Sequence, residues 1–321
     1  MVEFNVGKKE AGQRIDKFIR KYLSEAPLSF IYKLFRKKDI KVNGKPVKID
    51  YYIEEKDNIK IYVSDEQLES FRILKDIDNE KIEFEIIYED SNILIVNKPS
   101  GLLIHQDSNK ESKTLNNQVL NYLSIKGEYS KEDTFVPSAV HRLDKNTSGI
   151  VIVAKNVMSA QILFDLFKNK DDLVKEYITL VKGRVTKNAI IDSKLSKDVN
   201  KNYVSVDEKK GKSALTSYMY LTYTTDFSLL KVKLISGHSH QIRVHLKSLN
   251  HPIINDYKYG DRRVNNYIRD KYGYEYQLLH ASSITFKKVN GGLSYLSNKR
   301  FEAKPNDKFL EIVKGELSYE L

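Results

Sequence analysis

The stretch His141-Arg142-Leu143-Asp144-Lys145-Asn146-Thr147-Ser148-Gly149 decides how this chain is read. Its flanks are apolar, Val136 to Val140 before it and Ile150-Val151-Ile152-Val153-Ala154 after it, so the pattern is strand, sharp loop, strand. An acid on a loop clamped between two buried strands keeps its position, and fixed placement is what catalysis requires. The ordinary alternative is an Asp that only hydrogen-bonds its own turn. The choice between the two rests on the rest of the chain.

With 321 residues, 40% of them hydrophobic and 30% charged, the chain is long enough for one large domain or two unequal ones around a real core. Its formal net charge of +11 attracts polyanions, of which nucleic acid is the commonest for a protein of this kind. A merely solubilising surface is the alternative. There is no cysteine, which excludes disulfides, thiolate nucleophiles and cysteine-based zinc sites and fits a reducing cytoplasm. The first residues lack the apolar core of a signal peptide. No apolar run approaches the roughly 18 residues of a membrane helix, so no membrane association is expected.

Charge is distributed in blocks. Residues 1–64 hold 15 Lys/Arg against 9 Asp/Glu, residues 65–87 hold 3 against 8, and residues 88–321 carry a surplus of +10. The acidic stretch reads as a linker over 65–85 that runs into the first strand of a second domain. In the first block Ile15, Phe18, Ile19, Tyr22 and Leu23 recur at helical spacing, with Arg14, Lys17, Arg20 and Lys21 on the outer face. Ser29 is expected to cap a second helix, in which Ile31, Leu34 and Phe35 share one side and Lys33, Arg36 and Lys37 face away. Asn43-Gly44, set between alternating apolar residues, predicts a hairpin, and Ile59 to Val63 a further strand. Two short basic helices followed by a hairpin resemble the RNA-binding module named after small-subunit ribosomal protein four. That makes residues 1–64 a small α/β RNA-binding domain, with Arg14, Lys17, Lys33, Arg36 and Lys37 as candidate RNA contacts.

The second block, expected to be a domain over 86–321, alternates strands with few helices. Strands are predicted at Ile86-Ile87-Tyr88, Ile93 to Val96, Tyr177–Val181, Ser217–Thr222 and Leu229–Leu234, with Leu102 to His105 extended and a helix over 157–168. This pattern argues for an α+β fold with a mixed, largely antiparallel sheet rather than a doubly wound one.

Three further segments carry chemistry-bearing residues: Lys175-Glu176-Tyr177, the run Ser236-Gly237-His238-Ser239-His240-Gln241-Ile242-Arg243-Val244-His245, and the turn-rich His251 to Gly260. Ser239 is expected to cap a helix that carries Arg243 in its first turns. The crowding of His238, His240 and His245 invites a metal reading, but carboxylates or further His at helical ligand spacing are missing, so no metal is expected. Gly211-Lys212-Ser213 looks like the end of a phosphate loop, yet Val206 stands where such a loop needs Gly. Neither a dinucleotide fingerprint nor a serine nucleophile elbow occurs.

His141-Arg142-Leu143-Asp144 with Thr147-Ser148-Gly149, taken with Asn97-Lys98-Pro99-Ser100-Gly101, Lys175-Glu176-Tyr177, His240-Gln241-Ile242-Arg243-Val244-His245 and Asp256-x-x-Tyr259-Gly260, resembles the ribosomal large-subunit pseudouridine synthase family. The ordered segments span roughly residues 86–286, and Tyr257 to Gly260 and the 265–276 stretch look most like its C branch. Two departures stand out: Ser236-Gly237-His238-Ser239 replaces the usual Thr-Gly-Arg-Thr, and Asn255 replaces a Gly, although Asn can adopt a left-handed backbone.

The resemblance implies an isomerisation that breaks the bond from uracil to ribose, turns the base and rejoins it through carbon 5, with no cofactor required. Asp144 is then the reacting carboxylate, attacking the anomeric carbon, attacking the uracil ring, or removing a ribose proton. Arg243 is its expected ionic partner, Tyr177 stacks on the base, and Arg142, with His141 beside it, occupies the place of a flipped-out uridine. The partner implied is structured RNA, 23S ribosomal RNA first, met in the cytoplasm by a monomer without an obligate protein partner. A synthase acting on transfer RNA, a base-releasing glycosylase and a non-catalytic RNA-binding or ribosome-assembly protein are the rival readings.

Overall fold

A computed structural model describes residues 1–74, 77, 79–106, 113–169, 172–198 and 200–321. The N-terminal residues fold around their own apolar cluster. Strand β1 (Val2–Asn5) leads to helices α1 (Ile15–Tyr22) and α2 (Leu28–Lys37), and then to β2 (Ile40–Val42), β3 (Lys45–Pro46) and β4 (Asn58–Ile61), which complete a four-stranded sheet in the order β1-β4-β2-β3. The helical spacing noted above is what turns Ile15, Phe18, Ile19 and Tyr22 inward. At roughly 1.5–3 kcal/mol for each large apolar side chain removed from water, that face is enough to fix α1 against the sheet. Asn43 and Gly44 sit at φ 50° and 79°, the left-handed pair of a two-residue hairpin turn, as their sequence predicts.

Ser29 does not cap α2. The helix begins two residues earlier than such a cap would place it, after Pro27, whose fixed φ suits a helix entrance, and Ser29 falls inside the first turn. The acidic stretch also holds regular structure: Asp65–Phe71 is a helix, α3, with a capping box in which Ser64 and Gln67 bond each other's backbone N–H. Its Leu68 and Phe71 pack on the N-terminal cluster. Residues 75, 76 and 78 of the expected linker lie outside the described residues.

The rest of the chain contributes β5 (Glu85–Glu89), β6 (Ile93–Lys98), α4 (Leu115–Ile125), β7 (Ser138–Ala139), β8 (Ser148–Ala154), α5 (Val157–Lys168), β9 (Leu173–Lys182), β10 (Ala189–Asp198), β11 (Tyr203–Val206), β12 (Lys212–Tyr223), β13 (Phe227–Leu234), α6 (Gln241–Ser248), α7 (Arg262–Tyr272), β14 (Leu279–Phe286), a 3-10 turn (Gly291–Leu296), β15 (Arg300–Glu302) and α8 (Asp307–Leu317). The strands form one 11-stranded sheet in the order β11-β10-β12-β13-β9-β14-β8-β6-β5, with β15 paired to β14 and β7 to β8. Among these pairings, β14 with β8 is parallel and the others are antiparallel. The fold is therefore α+β with a mixed, mostly antiparallel sheet, as the strand-rich pattern implies.

Every residue of β8 is buried, which accounts for its unbroken apolar run. Gly149 is required where β8 meets β14: its φ is 114°, and a Cβ there would come within 2.3 Å of the Ala281 carbonyl oxygen. The apolar residues before the loop form only the two-residue β7. Leu102 to His105 do not form a strand and contribute a single bridge, Leu103 to Thr114.

Candidate active site

Three segments distant in sequence converge on one pocket of about 390 Å³. They are the loop before β8, the middle of β9 and the turn between β13 and α6. Asp144 sits on that loop with its side chain partly open to solvent. The loop is fastened on its inner side. The Lys98 ammonium is completely buried and donates to the carbonyls of Pro99, Leu102 and Lys145. The Gly101 N–H donates to the Lys145 carbonyl, and Gln277 donates to the Thr147 hydroxyl. Burial pulls the Lys98 amine down to about 7, with the Asp144 charge acting in the opposite direction.

Arg243 lies in the first turn of α6 and joins two carboxylates. Its Nη1 donates to Asp144 Oδ2 at 2.6 Å, while Nε and Nη2 form a fork on Asp256 at 2.7 and 2.9 Å. The Asp256 side chain is fully buried and also accepts the N–H groups of Lys258 and Tyr259. Burial works against the guanidinium charge, but the hydrogen bonds and charge of Asp256, reinforced by Asp144, overcome it and hold Arg243 more firmly protonated than usual. The result is a line of fixed charges, Asp256, Arg243 and Asp144, whose outer end is the acid that faces the pocket.

Tyr177 lines the same pocket from β9. Its ring belongs to the main core cluster, and burial, aided by the Asp144 charge, pushes its hydroxyl above the ordinary phenol range. The phenol is thus protonated at neutral pH. Arg142 is exposed at the pocket rim. His141 turns back into the protein: its ring stacks on Phe167 with centroids 4.5 Å apart, and Nε2 accepts the Ile152 N–H at 3.1 Å. Burial, with Lys175 nearby, depresses its imidazole to about 3. None of the N-terminal candidates lines this pocket. Lys17, Lys33, Arg36 and Lys37 are exposed on α1 and α2, and Arg14 is tied to Asp16 at 3.0 Å.

The His-Gln-x-Arg-x-His run divides into four jobs. His240, not Ser239, is the residue before the helix; its backbone is left-handed at φ 53° and offers no side-chain cap. The turn is held instead by Gln241, which accepts from the Ser236 hydroxyl and the His238 N–H and donates to Leu215 and Thr216. Arg243 serves the pocket. His245 is buried and bonds Thr216 on β12 and the Ser193 carbonyl on β10. His238, the departure from the family pattern, rests on the Ser213 carbonyl. His240 Nδ1 lies 2.8 Å from the Tyr259 hydroxyl, so the three histidines point to different partners. Asn255 takes φ 60° and donates to the Tyr274 carbonyl, so the second departure keeps the turn.

The roles of Asp256, Lys98 and the His240–Tyr259 pair are not legible in the sequence, although all four residues fall inside its motif segments. The one signal there is a carboxylate 13 residues after the arginine, and that spacing has no meaning until α6 and its following loop are folded together.

A family model described as RNA pseudouridylate synthase matches residues 92–248. An uncharacterised RNA pseudouridine synthase of Mycoplasma capricolum subsp. capricolum is 37% identical over 318 residues, covering 95% of this chain and 98% of the relative. The chain belongs to the RNA pseudouridine synthase family. A ribosomal large subunit pseudouridine synthase C of Buchnera aphidicola subsp. Baizongia pistaciae is 34% identical over 88% of both chains. Human RNA pseudouridylate synthase domain containing 1 shares the fold, with a TM-score of 0.56 at 22% identity over 74% of this chain and 88% of its own. The synthase is thus an isomerase that acts on RNA, and its motif residues His141 to Asp144 and Gln241 to Arg243 fall within the matched segment. Among the described residues, no helix is long and apolar enough to cross a membrane.

Proposed function

We propose that the synthase converts uridines of large-subunit ribosomal RNA to pseudouridine, with Asp144 as the reacting carboxylate, Arg243 as its ionic anchor and Tyr177 as the aromatic platform for the base. The observation that carries this reading is the 2.6 Å contact between Arg243 and Asp144 at the mouth of the pocket lined by Tyr177. Binding alone has no use for a carboxylate aimed at a polyanion; chemistry at the sugar or base does. An acid held in place by a buried guanidinium is suited to any of its three routes: attack on the anomeric carbon, addition to the uracil ring, or removal of a ribose proton.

Reaching the glycosidic bond requires an extruded nucleotide, at a cost of a few kcal/mol. Arg142, exposed beside Asp144, is assigned to the vacated stack, and His141 holds the loop backbone beneath it. The surplus of +10 over residues 88–321 supplies the attraction to phosphate. Lys17, Lys33, Arg36 and Lys37, with Arg14 at the edge, form the accessory contact that raises the local concentration of a structured RNA. The domain division 1–64, 65–85 and 86–321 is part of this proposal. Action as a monomer is part of the same proposal. The absence of cysteine fits a reducing cytoplasm.

The test uses RNA tritiated at uracil carbon 5, because the rearrangement must release that hydrogen. Wild type is expected to release tritium from large-subunit ribosomal RNA. Asp144→Asn should fold, bind RNA and release none. Turnover by Asp144→Asn removes Asp144 from its role, and release from transfer RNA alone replaces the ribosomal target.

A further inference from the structure

His240 and Tyr259 form a pair whose proton positions follow from the contacts around them. The Tyr259 side chain is buried, and its hydroxyl accepts the Val204 N–H at 2.9 Å and lies 2.8 Å from His240 Nδ1. A phenol has one hydrogen to give. If it goes to Nδ1, both atoms are satisfied and the imidazole hydrogen must sit on Nε2. The reverse arrangement, with Nδ1–H donating to the phenol, leaves the hydroxyl hydrogen without use at a buried position, which is costly. Nε2 faces the pocket and lies 3.9 Å from Asp144 Oδ2, beyond hydrogen-bond reach. The ring is also kept neutral: burial depresses it to about 4, with Asp144 and Asp256 pulling up and Arg243 and Lys258 pulling down.

We propose that His240 is a further catalytic residue, a neutral imidazole that offers its Nε2–H to a uracil carbonyl oxygen seated beside Asp144, and that Tyr259 is the positioning residue that sets this tautomer. The inference rests on Asp144 being the reacting carboxylate, but not on which route it takes. When the bond from C1′ to N1 breaks, its electron pair passes to the uracil and spreads onto the carbonyl oxygens. When the carboxylate adds to the ring instead, the displaced pair also settles on a carbonyl oxygen. In each case negative charge moves from Asp144 to the base, as the carboxylate becomes an ester or takes up the ribose proton, and a fixed neutral donor stabilises that charge without having neutralised Asp144 beforehand. The proton stays on the imidazole throughout: the C5 hydrogen leaves to solvent, the freed N1 takes up a proton from solvent, and the isomerisation balances.

Two measurements on the full chain test this. Long-range proton–nitrogen spectra of ¹⁵N-histidine-labelled protein, assigned with His240→Gln, are expected to show the Nε2–H form of His240 at pH 7 and a tautomer mixture in Tyr259→Phe. Single-turnover rates on a saturating transcript of large-subunit ribosomal RNA, tritiated at uracil carbon 5, are expected to fall on the order of a hundredfold in His240→Leu. His240→Gln should recover most of that loss, because its amide N–H reaches the place of Nε2, and RNA affinity should change by less than about threefold, as expected for a group acting on the developing charge. An Nδ1–H tautomer in wild type overturns the proposal, and so does a wild-type rate in His240→Leu. If Asp144→Asn is inactive while His240→Leu is normal, only this inference fails. If Asp144→Asn turns over, the reading beneath it fails.

Discussion

The pocket and the N-terminal helices both carry Arg and Lys, but they use charge in opposite ways. Arg243 is buried and makes three charged hydrogen bonds to two carboxylates. Lys33, Arg36 and Lys37 stand exposed along α2. A buried charge is expensive, and it persists only where geometry satisfies it. Its removal therefore disturbs structure and chemistry together. An exposed charge is screened within about 10 Å of salt solution and contributes little to stability. Its removal changes what the protein meets, not how it folds. Chemistry is thereby assigned to the rigid region and capture to the open one.

The largest effect that can separate the two regions is expected at Asp256. In Asp256→Asn the oxygen that accepts the Lys258 and Tyr259 N–H groups can remain, but the new amide must face the Arg243 Nε–H, donor against donor. Breaking one side of a buried ion pair costs about 3–5 kcal/mol. In a chain of this size that is a Tm loss of roughly 10 °C. Turnover should fall with it, because Arg243 loses the fork that aims it at Asp144. Calorimetry and tritium release check both; a Tm within a degree or two of wild type at full activity would mean that Asp256 does not anchor the site.

Tyr177→Phe comes next. The ring keeps its place in the core, so the Tm should barely move, while loss of the hydroxyl lowers single-turnover rates by roughly 10²–10⁴ if it handles a proton at the base. An unchanged rate confines Tyr177 to stacking.

These residues also show which parts of the structure the chain makes legible. Helix α5 occupies the span its apolar spacing predicts, and the Asn43-Gly44 turn forms because only φ above zero closes a two-residue hairpin. Asp144 and Arg243 are found from motif order and meet at 2.6 Å. What local reading cannot supply is depth. Nothing in the spacing of Lys98 says that its ammonium will be sealed beneath Lys145, or that β14, late in the chain, will insert between β8 and β9. Ser239 and Ser29 fail as caps for a related reason: a serine near a helix start is a local preference, and the neighbouring Pro27 and the left-handed His240 set the actual boundaries.

Acid should strike the buried region selectively. His141, His240 and His280 are held neutral to about 3, 4 and 4, chiefly by burial. Their folded-state values lie below the unfolded value of about 6.5, so the unfolded chain binds more protons as pH falls. The stability they contribute is complete above about pH 6.5 and is lost progressively toward pH 4, by up to about 1.4 kcal/mol per pH unit for each histidine. Urea melts at pH 7 and pH 5 should differ accordingly, and replacing His280 by Gln should reduce the difference by the share of one ring. Equal stability at the two pH values means that these rings are not the acid-sensitive groups.

Salt is the complementary probe, and its effect is the smallest in free energy. Lys33→Ala, Arg36→Ala and Lys37→Ala combined should leave the Tm within about 1 °C, because exposed charges on a helix face contribute little. RNA affinity at low salt should drop, and the slope of log affinity against log salt should become shallower by about one for each phosphate that is no longer neutralised. The single-turnover rate on saturating RNA should stay at the wild-type value, since none of the three lines the pocket. A variant whose saturated rate falls while its salt slope is unchanged would reverse the division of labour, because the basic face of α2 would then be acting on the reacting nucleotide and not on the path by which RNA arrives.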